Sequence, residues 1–209
     1  MINIVIADDH TIVRDGLRRI IDVEPDLITV GEAQNGNEVL ELVRKSQVNV
    51  VVLDISMPGR NGLETLKDLR RMYPDIAVIV LSMHPKDQYA VRVLKAGAAG
   101  YITKESAAES LVDAIRKADR GEKYISPDVA ELLADYVEHG NSTEPHKRLS
   151  DREFEVFCHL AAGKRLNEVS AEMNLSVKTI STYRSRILEK TQLSSNSDFT
   201  RYAIEHSLV

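Results

Sequence analysis

The chain has 209 residues, 43% of them hydrophobic and 28% charged, enough for two small cores and too balanced for a disordered segment. A formal net charge of −5 gives no whole-chain basic field, and the single cysteine, Cys158, excludes an intramolecular disulfide framework and a cysteine-based zinc cluster. The opening MINIVIADDH meets acid at Asp8 without a basic start, and the longest uncharged apolar stretch, Ile76 to Pro85, is about half of a bilayer span. A cytoplasmic protein that does not enter membranes is the expectation.

Strand and helix patterns alternate over the first 120 residues. Ile2–Ala7 reads as a β-branched strand, Thr11–Val23 as a helix, Leu27–Ala33 as a second strand and Glu38–Lys45 as a helix. Val48–Leu53 is a near-continuous apolar run, the mark of a strand covered on both faces. Gly62–Met72 follows as a helix, Ile76–Leu81 as a fourth strand, Lys86–Lys95 as a helix, Ala98–Ile102 as a fifth strand and Ser106–Asp119 as a helix. Strict alternation predicts an α/β fold, a five-stranded doubly wound parallel sheet with helices on both faces.

Pro127–His139 has helical spacing, and the polar stretch from Glu138 to Arg148, with Gly140 and Pro145, reads as a linker. Charge changes sign near its end. Residues 1–146 hold 17 basic and 24 acidic side chains, whereas residues 147–209 hold 10 and 8. Two modules with different partners are expected: residues 1–120, a linker over 121–147, and an all-α four-helix module over 148–209.

In that module Ser150-x-x-Glu153 is a capping box that opens a helix ending before Gly163. Asn167–Met173 is a short helix, Ser176 caps a longer one over Val177–Thr191, and a last helix covers about Ser197–His206. A short helix, a tight turn and a longer basic helix form the helix-turn-helix pattern. On a wheel, Tyr183, Arg184, Ile187 and Leu188 fall within about 80° of Ile180, an inward stripe, and Lys178, Thr182, Ser185 and Arg186 fall outside it. Four basic residues, Lys178, Arg184, Arg186 and Lys190, stand against one acid, Glu189. Such a helix suits the major groove of double-stranded DNA, with phosphate contacts giving affinity and outward donors reading bases.

In open parallel sheets, reactive groups gather at the carboxyl ends of the strands. Asp8-Asp9, Asp54, Ser82 and Lys104 all fall there. A lone acid at a strand end is commonly a turn or capping residue. Three together are another matter, because two carboxylates about 4 Å apart repel by about 4 kcal/mol at an effective dielectric of about 20. Such a cluster needs a cation, and oxygen ligands with room for water suit Mg²⁺. His10 follows the acidic pair and can cap the first helix, with a metal role as the lesser alternative, and His84 lies in the loop after the fourth strand. His139, His146, His159 and His206 form no i, i+4 pair for zinc. Cys158 reads as core filler.

Asp8-Asp9, then Asp54-Ile55-Ser56-Met57-Pro58-Gly59-Arg60-Asn61-Gly62, then Ser82, Tyr101 and Lys104, resemble the receiver domain of two-component response regulators, a flavodoxin/CheY-like fold. The resemblance implies that Asp54 accepts a phosphoryl group from a cognate sensor histidine kinase. It also implies Mg²⁺ at Asp9 and Asp54, with Asp8 acting mostly through water and Ser56 through its backbone carbonyl. Ser82 would be the switch hydroxyl, Lys104 the partner of the phosphoryl charge and Tyr101 the aromatic switch. Glu105 follows Lys104 where the family often has proline, which puts the usual cis peptide in doubt.

Leu149-Ser-Asp-Arg-Glu-Phe-Glu-Val-Phe and Asn167 to Tyr183 resemble the LuxR-type helix-turn-helix, and the whole chain resembles NarL/FixJ-family response regulators. The family's contact positions match Ser181, Thr182 and Ser185, and the run Tyr183-Arg184-Ser185-Arg186 is most similar to GacA/UvrY-type regulators. Lys178, Thr182, Ser185 and Arg186 are expected at the groove, Tyr183 and Arg184 at phosphates. The family implies a DNA-binding transcription regulator, not a turnover enzyme, whose own chemistry is phosphoryl acceptance and slow autodephosphorylation. Partners would be the kinase (at the first helix around Val13, Arg14 and Leu17), DNA, RNA polymerase as a further candidate, and a second copy through Tyr202, Ile204 and Leu208. A docked, inhibited state relieved by phosphorylation is a further expectation. A magnesium-dependent aspartyl-phosphate phosphatase would need an acid where Ser56 stands. A docking-only receiver would not need the intact acidic set, and a flavodoxin would not have an acidic first loop.

Overall fold

The computed structural model describes residues 1–82, 86–139, 144–206 and 208, so His84 and residues 140–143 of the expected linker lie outside the described residues. The chain divides into two compact units, Met1–Leu133 and Ala134–Val209.

The first unit holds strands β1 (Ile2–Ala7), β2 (Leu27–Ala33), β3 (Val50–Asp54), β4 (Ala77–Ser82) and β5 (Gly100–Thr103), interleaved with helices α1 (Thr11–Asp22), α2 (Gly36–Lys45), α3 (Gly62–Met72), α4 (Lys86–Lys95) and α5 (Ala107–Asp119). All strand pairings are parallel, in the order β2-β1-β3-β4-β5. Ile4, Ile6, Val50, Val52, Ile79, Leu81 and Ile102 pack on one face against Leu17 and Ile21 of α1 and Leu111, Ala114 and Ile115 of α5. Alternation turns Val5, Val51, Leu53 and Val80 to the other face, and all four are buried. Both sides are therefore covered, as the apolar runs predicted.

Three strands start later than their apolar letters suggest, β4 by one residue, at Ala77 rather than Ile76. β3 begins at Val50 rather than Val48, because Asn49 turns its side chain to accept from the Asn3 amide at 2.9 Å. β5 begins at Gly100 rather than Ala98, whose amide still bonds Val93 at the end of α4.

Helix α6 (Pro127–His139) spans the division between the units. The second unit then has a 3-10 turn (Pro145–Arg148) and helices α7 (Asp151–Ala161), α8 (Leu166–Glu172), α9 (Val177–Thr191) and α10 (Asn196–Glu205). Its core is aromatic: Phe157 meets Phe199 edge-on at 5.3 Å between centroids and packs on Phe154 and Tyr202. Val169, Ile180 and Ile187 close it, and Cys158 is a buried thiol within it. The Ser150–Glu153 capping box forms as read from the sequence. The 3-10 turn has no apolar periodicity, and it places His146, read as part of the linker, wholly inside this unit. Among the described residues no helix is long and apolar enough to cross a membrane.

Candidate functional site: an acidic rim and an exposed basic helix

Chain order reverses between β1 and β3, which makes their carboxyl ends the switch point of the sheet. Ala7 lies opposite Leu53, so Asp8 and Asp54 leave neighbouring strands at one level. Asp54 lies opposite Leu81, Ser82 opposite Thr103, and the Lys104 amide donates to the Ser82 carbonyl at 2.9 Å. Register alone therefore brings together four residues separated by up to 96 positions.

The side chains follow. Lys104 Nζ lies 2.6 Å from Asp8 Oδ2 and 3.1 Å from Asp54 Oδ2. Asp8, Asp54 and Ser82 are buried, Asp9 is half-buried and Ser56 is exposed just past β3. Tyr101, on β5, is also fully buried. Burial pushes the Asp54 carboxyl up, Lys104 pulls it back and Asp8 repels it further, leaving it above the ordinary carboxylate range. Burial by itself would lower Lys104; Asp54 and Asp8 outweigh that and hold its ammonium above its usual value. Asn61 caps α3 by accepting from the Glu64 amide at 2.9 Å. Gly62 follows because a Cβ there would overlap the Asp54 carbonyl oxygen. No peptide among the described residues is cis.

Asp8 and Asp54 share one ammonium and the Asp9 carboxylate lies close to Asp8, so the oxygens of the three fit a hard divalent cation such as Mg²⁺. Donor atoms of Asp8, Asp9 and His10 all lie within 4.8 Å of one another. His10 does not cap α1 through its side chain; its ring turns to the acids instead.

Arg14 corrects the expected kinase-facing set. It is buried, donating to the Asp8 carbonyl at 2.7 Å and to Glu32 Oε2 at 3.2 Å, and Leu17 is buried in the core. Ile12 is the apolar residue that α1 exposes most. The clue was present: Arg14, Leu17 and Ile21 share one stripe at helical spacing, so Arg14 belongs to the inward face.

On α9, Lys178, Ser181, Thr182, Ser185 and Arg186 are exposed, while Tyr183 and Arg184 are half-buried. Thr182 and Ser185 donate their hydroxyls back to the Lys178 and Ser181 carbonyls at 3.0 and 3.1 Å, which turns oxygen lone pairs outward as acceptors. Arg184 Nε is held by Asn196 at 2.7 Å, and Lys190 by buried Glu153 at 2.6 Å. Both are therefore tied to the framework, which the charge count on the helix did not reveal. Leu208 and Tyr202 are likewise engaged at home: Leu208 is buried, and the Tyr202 hydroxyl meets His146 Nδ1 at 2.8 Å, with burial pushing Tyr202 up to about 12. Ile204 is exposed.

A switch-point acid cluster with an opposed lysine defines a receiver, and a capped basic helix on a four-helix core defines a DNA-binding module. The chain belongs to the response regulators that join the two. Residues 4–116 match the response regulator receiver domain and residues 147–203 match the bacterial regulatory proteins of the luxR family. Over its whole length the chain is 37% identical to the response regulator UvrY of Escherichia coli, covering 96% of that protein, and 37% identical to the response regulator GacA of Pseudomonas aeruginosa, covering 98%. Among solved structures it is similar to RcsB of Salmonella enterica serovar Typhimurium bound to promoter rprA in the presence of phosphomimetic BeF₃⁻, with a TM-score of 0.67 and 27% identity over 96% of this chain and 97% of that one.

Proposed function

We propose that this chain regulates transcription by binding DNA in a manner controlled by phosphorylation at Asp54. Residues 1–120 act as the receiver, 121–147 as the linker and 148–209 as the reader. The observation that carries the reading is a buried Asp54 carboxylate beside Lys104 at the switch point of the sheet.

Phosphoryl transfer from a sensor histidine kinase breaks the donor's N–P bond and forms an O–P bond at an Asp54 carboxylate oxygen. Charge spreads over the transferred oxygens, so the protein's work is positioning and electrostatic stabilisation. Lys104 is fixed by Asp8 to face that charge. Mg²⁺ held by the carboxylates of Asp9 and Asp54 and the Ser56 carbonyl, with Asp8 acting mostly through water, would supply further neutralisation. The acyl phosphate adds acceptor oxygens where one carboxylate stood. Ser82, one strand away, can turn its hydroxyl to them, and movement there frees space for Tyr101 to respond, a local charge event biasing a two-state element. Water attacking the acyl phosphate reverses the modification slowly.

On the reader, Lys178, Ser181, Thr182, Ser185 and Arg186 supply groove contacts, and Tyr183 and Arg184 supply phosphate contacts. A single short helix reads few base pairs, so a homodimer on two half-sites is expected. RNA polymerase is a further candidate partner, and the cytoplasm is where kinase, DNA and polymerase meet. The RcsB–DNA complex supports the reading by relationship.

The test is intact mass after treatment with acetyl phosphate and Mg²⁺, followed by genome-wide footprinting of wild type against Asp54→Ala. One added phosphoryl group, absent in the variant, and footprints that depend on Asp54 are expected. An unchanged mass in the wild type overturns the proposal.

A further inference from the structure

His10 turns an exposed ring toward two acids instead of capping its helix. It occupies the N-cap position of α1 without making a capping hydrogen bond, and it is 64% exposed, so it packs against little. Its Nδ1 lies 2.8 Å from Asp9 Oδ1 and 3.3 Å from Asp8 Oδ1. Two donors at a right angle on a small divalent ion, with bonds of about 2.1 Å, stand about 3 Å apart. The two distances bracket that spacing. Asp8 is oriented for the arrangement from both sides: Lys104 holds Oδ2 at 2.6 Å, and Oδ1 accepts the His10 backbone amide at 2.9 Å, which fixes the peptide carrying the ring.

We propose that His10 Nδ1 is a further metal ligand beside Asp8 and Asp9, which makes this edge of the rim a mixed nitrogen–oxygen site that holds first-row ions such as Mn²⁺ more tightly than Mg²⁺. The inference rests on the metal reading above and adds a donor to it. An imidazole strengthens binding of transition ions in their usual order of affinity, while Mg²⁺ gains little from nitrogen. The chain would then register which divalent ion is abundant, at the pocket where it takes up phosphoryl groups.

Full-length wild type, His10→Ala and Asp9→Asn are compared with Mg²⁺ alone and Mn²⁺ alone at pH 8. Calorimetry gives affinities, and electron spin echo on protein carrying ¹⁵N-histidine detects a nitrogen bonded to Mn²⁺. The wild type should show one bound histidine nitrogen that disappears in His10→Ala, with Mn²⁺ affinity falling about tenfold while Mg²⁺ affinity changes by less than about twofold. Absence of that nitrogen in the wild type, or its persistence in His10→Ala, overturns the proposal. So does a rise in affinity for both ions in His10→Ala, the signature of an imidazolium that merely offsets the acids. Failure of the metal reading itself looks different: neither ion binds the wild type, or both bind Asp9→Asn as tightly.

Discussion

Asp54 and Arg186 are both charged residues central to the proposed function, yet Asp54 is 1% exposed and Arg186 stands in solvent. The rim around Asp54 carries its electrostatic cost in the resting fold. Asp8 and Asp54 are buried and only partly offset by Lys104, and a pair of charges about 4 Å apart interacts by about 4 kcal/mol at an effective dielectric of about 20 against about 1 kcal/mol in water. The outward face of α9 carries no such cost until a phosphate backbone arrives. Chemistry on a small group calls for the first arrangement; reading a long polyanion calls for the second.

That contrast breaks first at Lys104. Replacing it with alanine should destabilise the metal-free protein by about 3–5 kcal/mol in urea unfolding, because buried carboxylates lose their cation. An effect below about 1 kcal/mol would mean the rim is well hydrated. On the reader, Arg186→Ala should weaken DNA binding by about 1–3 kcal/mol and reduce the salt slope by about 1, leaving thermal stability within about 0.5 kcal/mol of wild type. A large loss of stability there would erase the distinction between the two regions. Lys190→Met sharpens it from within one helix. This lysine is bonded to Glu153, so its loss should cost about 1 kcal/mol of folding stability and less DNA affinity than Arg186→Ala.

The smallest expected effect is Asp54→Asn without metal. The Asp54 carboxyl sits above its unfolded value of 3.8, so its ionised form costs the fold stability at neutral pH. The asparagine variant should melt at a higher temperature at pH 7. The advantage should shrink as pH falls through the raised value and disappear below the unfolded one. A wild type that melts higher at pH 7 would show that Lys104 more than compensates.

Much of this was legible in the letters. Parallel strands covered on both faces must be apolar almost throughout, so the acids that end them stand out at Asp8, Asp9 and Asp54. The exposed positions of α9 followed from a wheel. What stayed hidden depended on partners distant in sequence. Lys190 reads as one more basic residue until Glu153, 37 positions earlier, is brought beside it. His146 sits in a polar stretch next to a proline, with nothing local to announce that Tyr202, 56 positions later, will enclose it. For His10 the letters favoured a cap over a role beside the acids, and the geometry reverses that order, with the ring turned to Asp9.

One oxygen in the second unit has two tasks. Glu153 Oε2 receives the Ser150 amide at 2.8 Å, sealing the start of α7, and the Lys190 ammonium at 2.6 Å, anchoring the far end of α9. Burial would raise this carboxyl, but Lys190 and Ser150 outweigh it and keep it below the ordinary glutamate range. The stability it supplies is therefore present above about pH 4.5 and fades only as pH falls through that lowered value. The angle at which α9 leaves its scaffold is thus pinned by a bolt that mild acidification does not loosen.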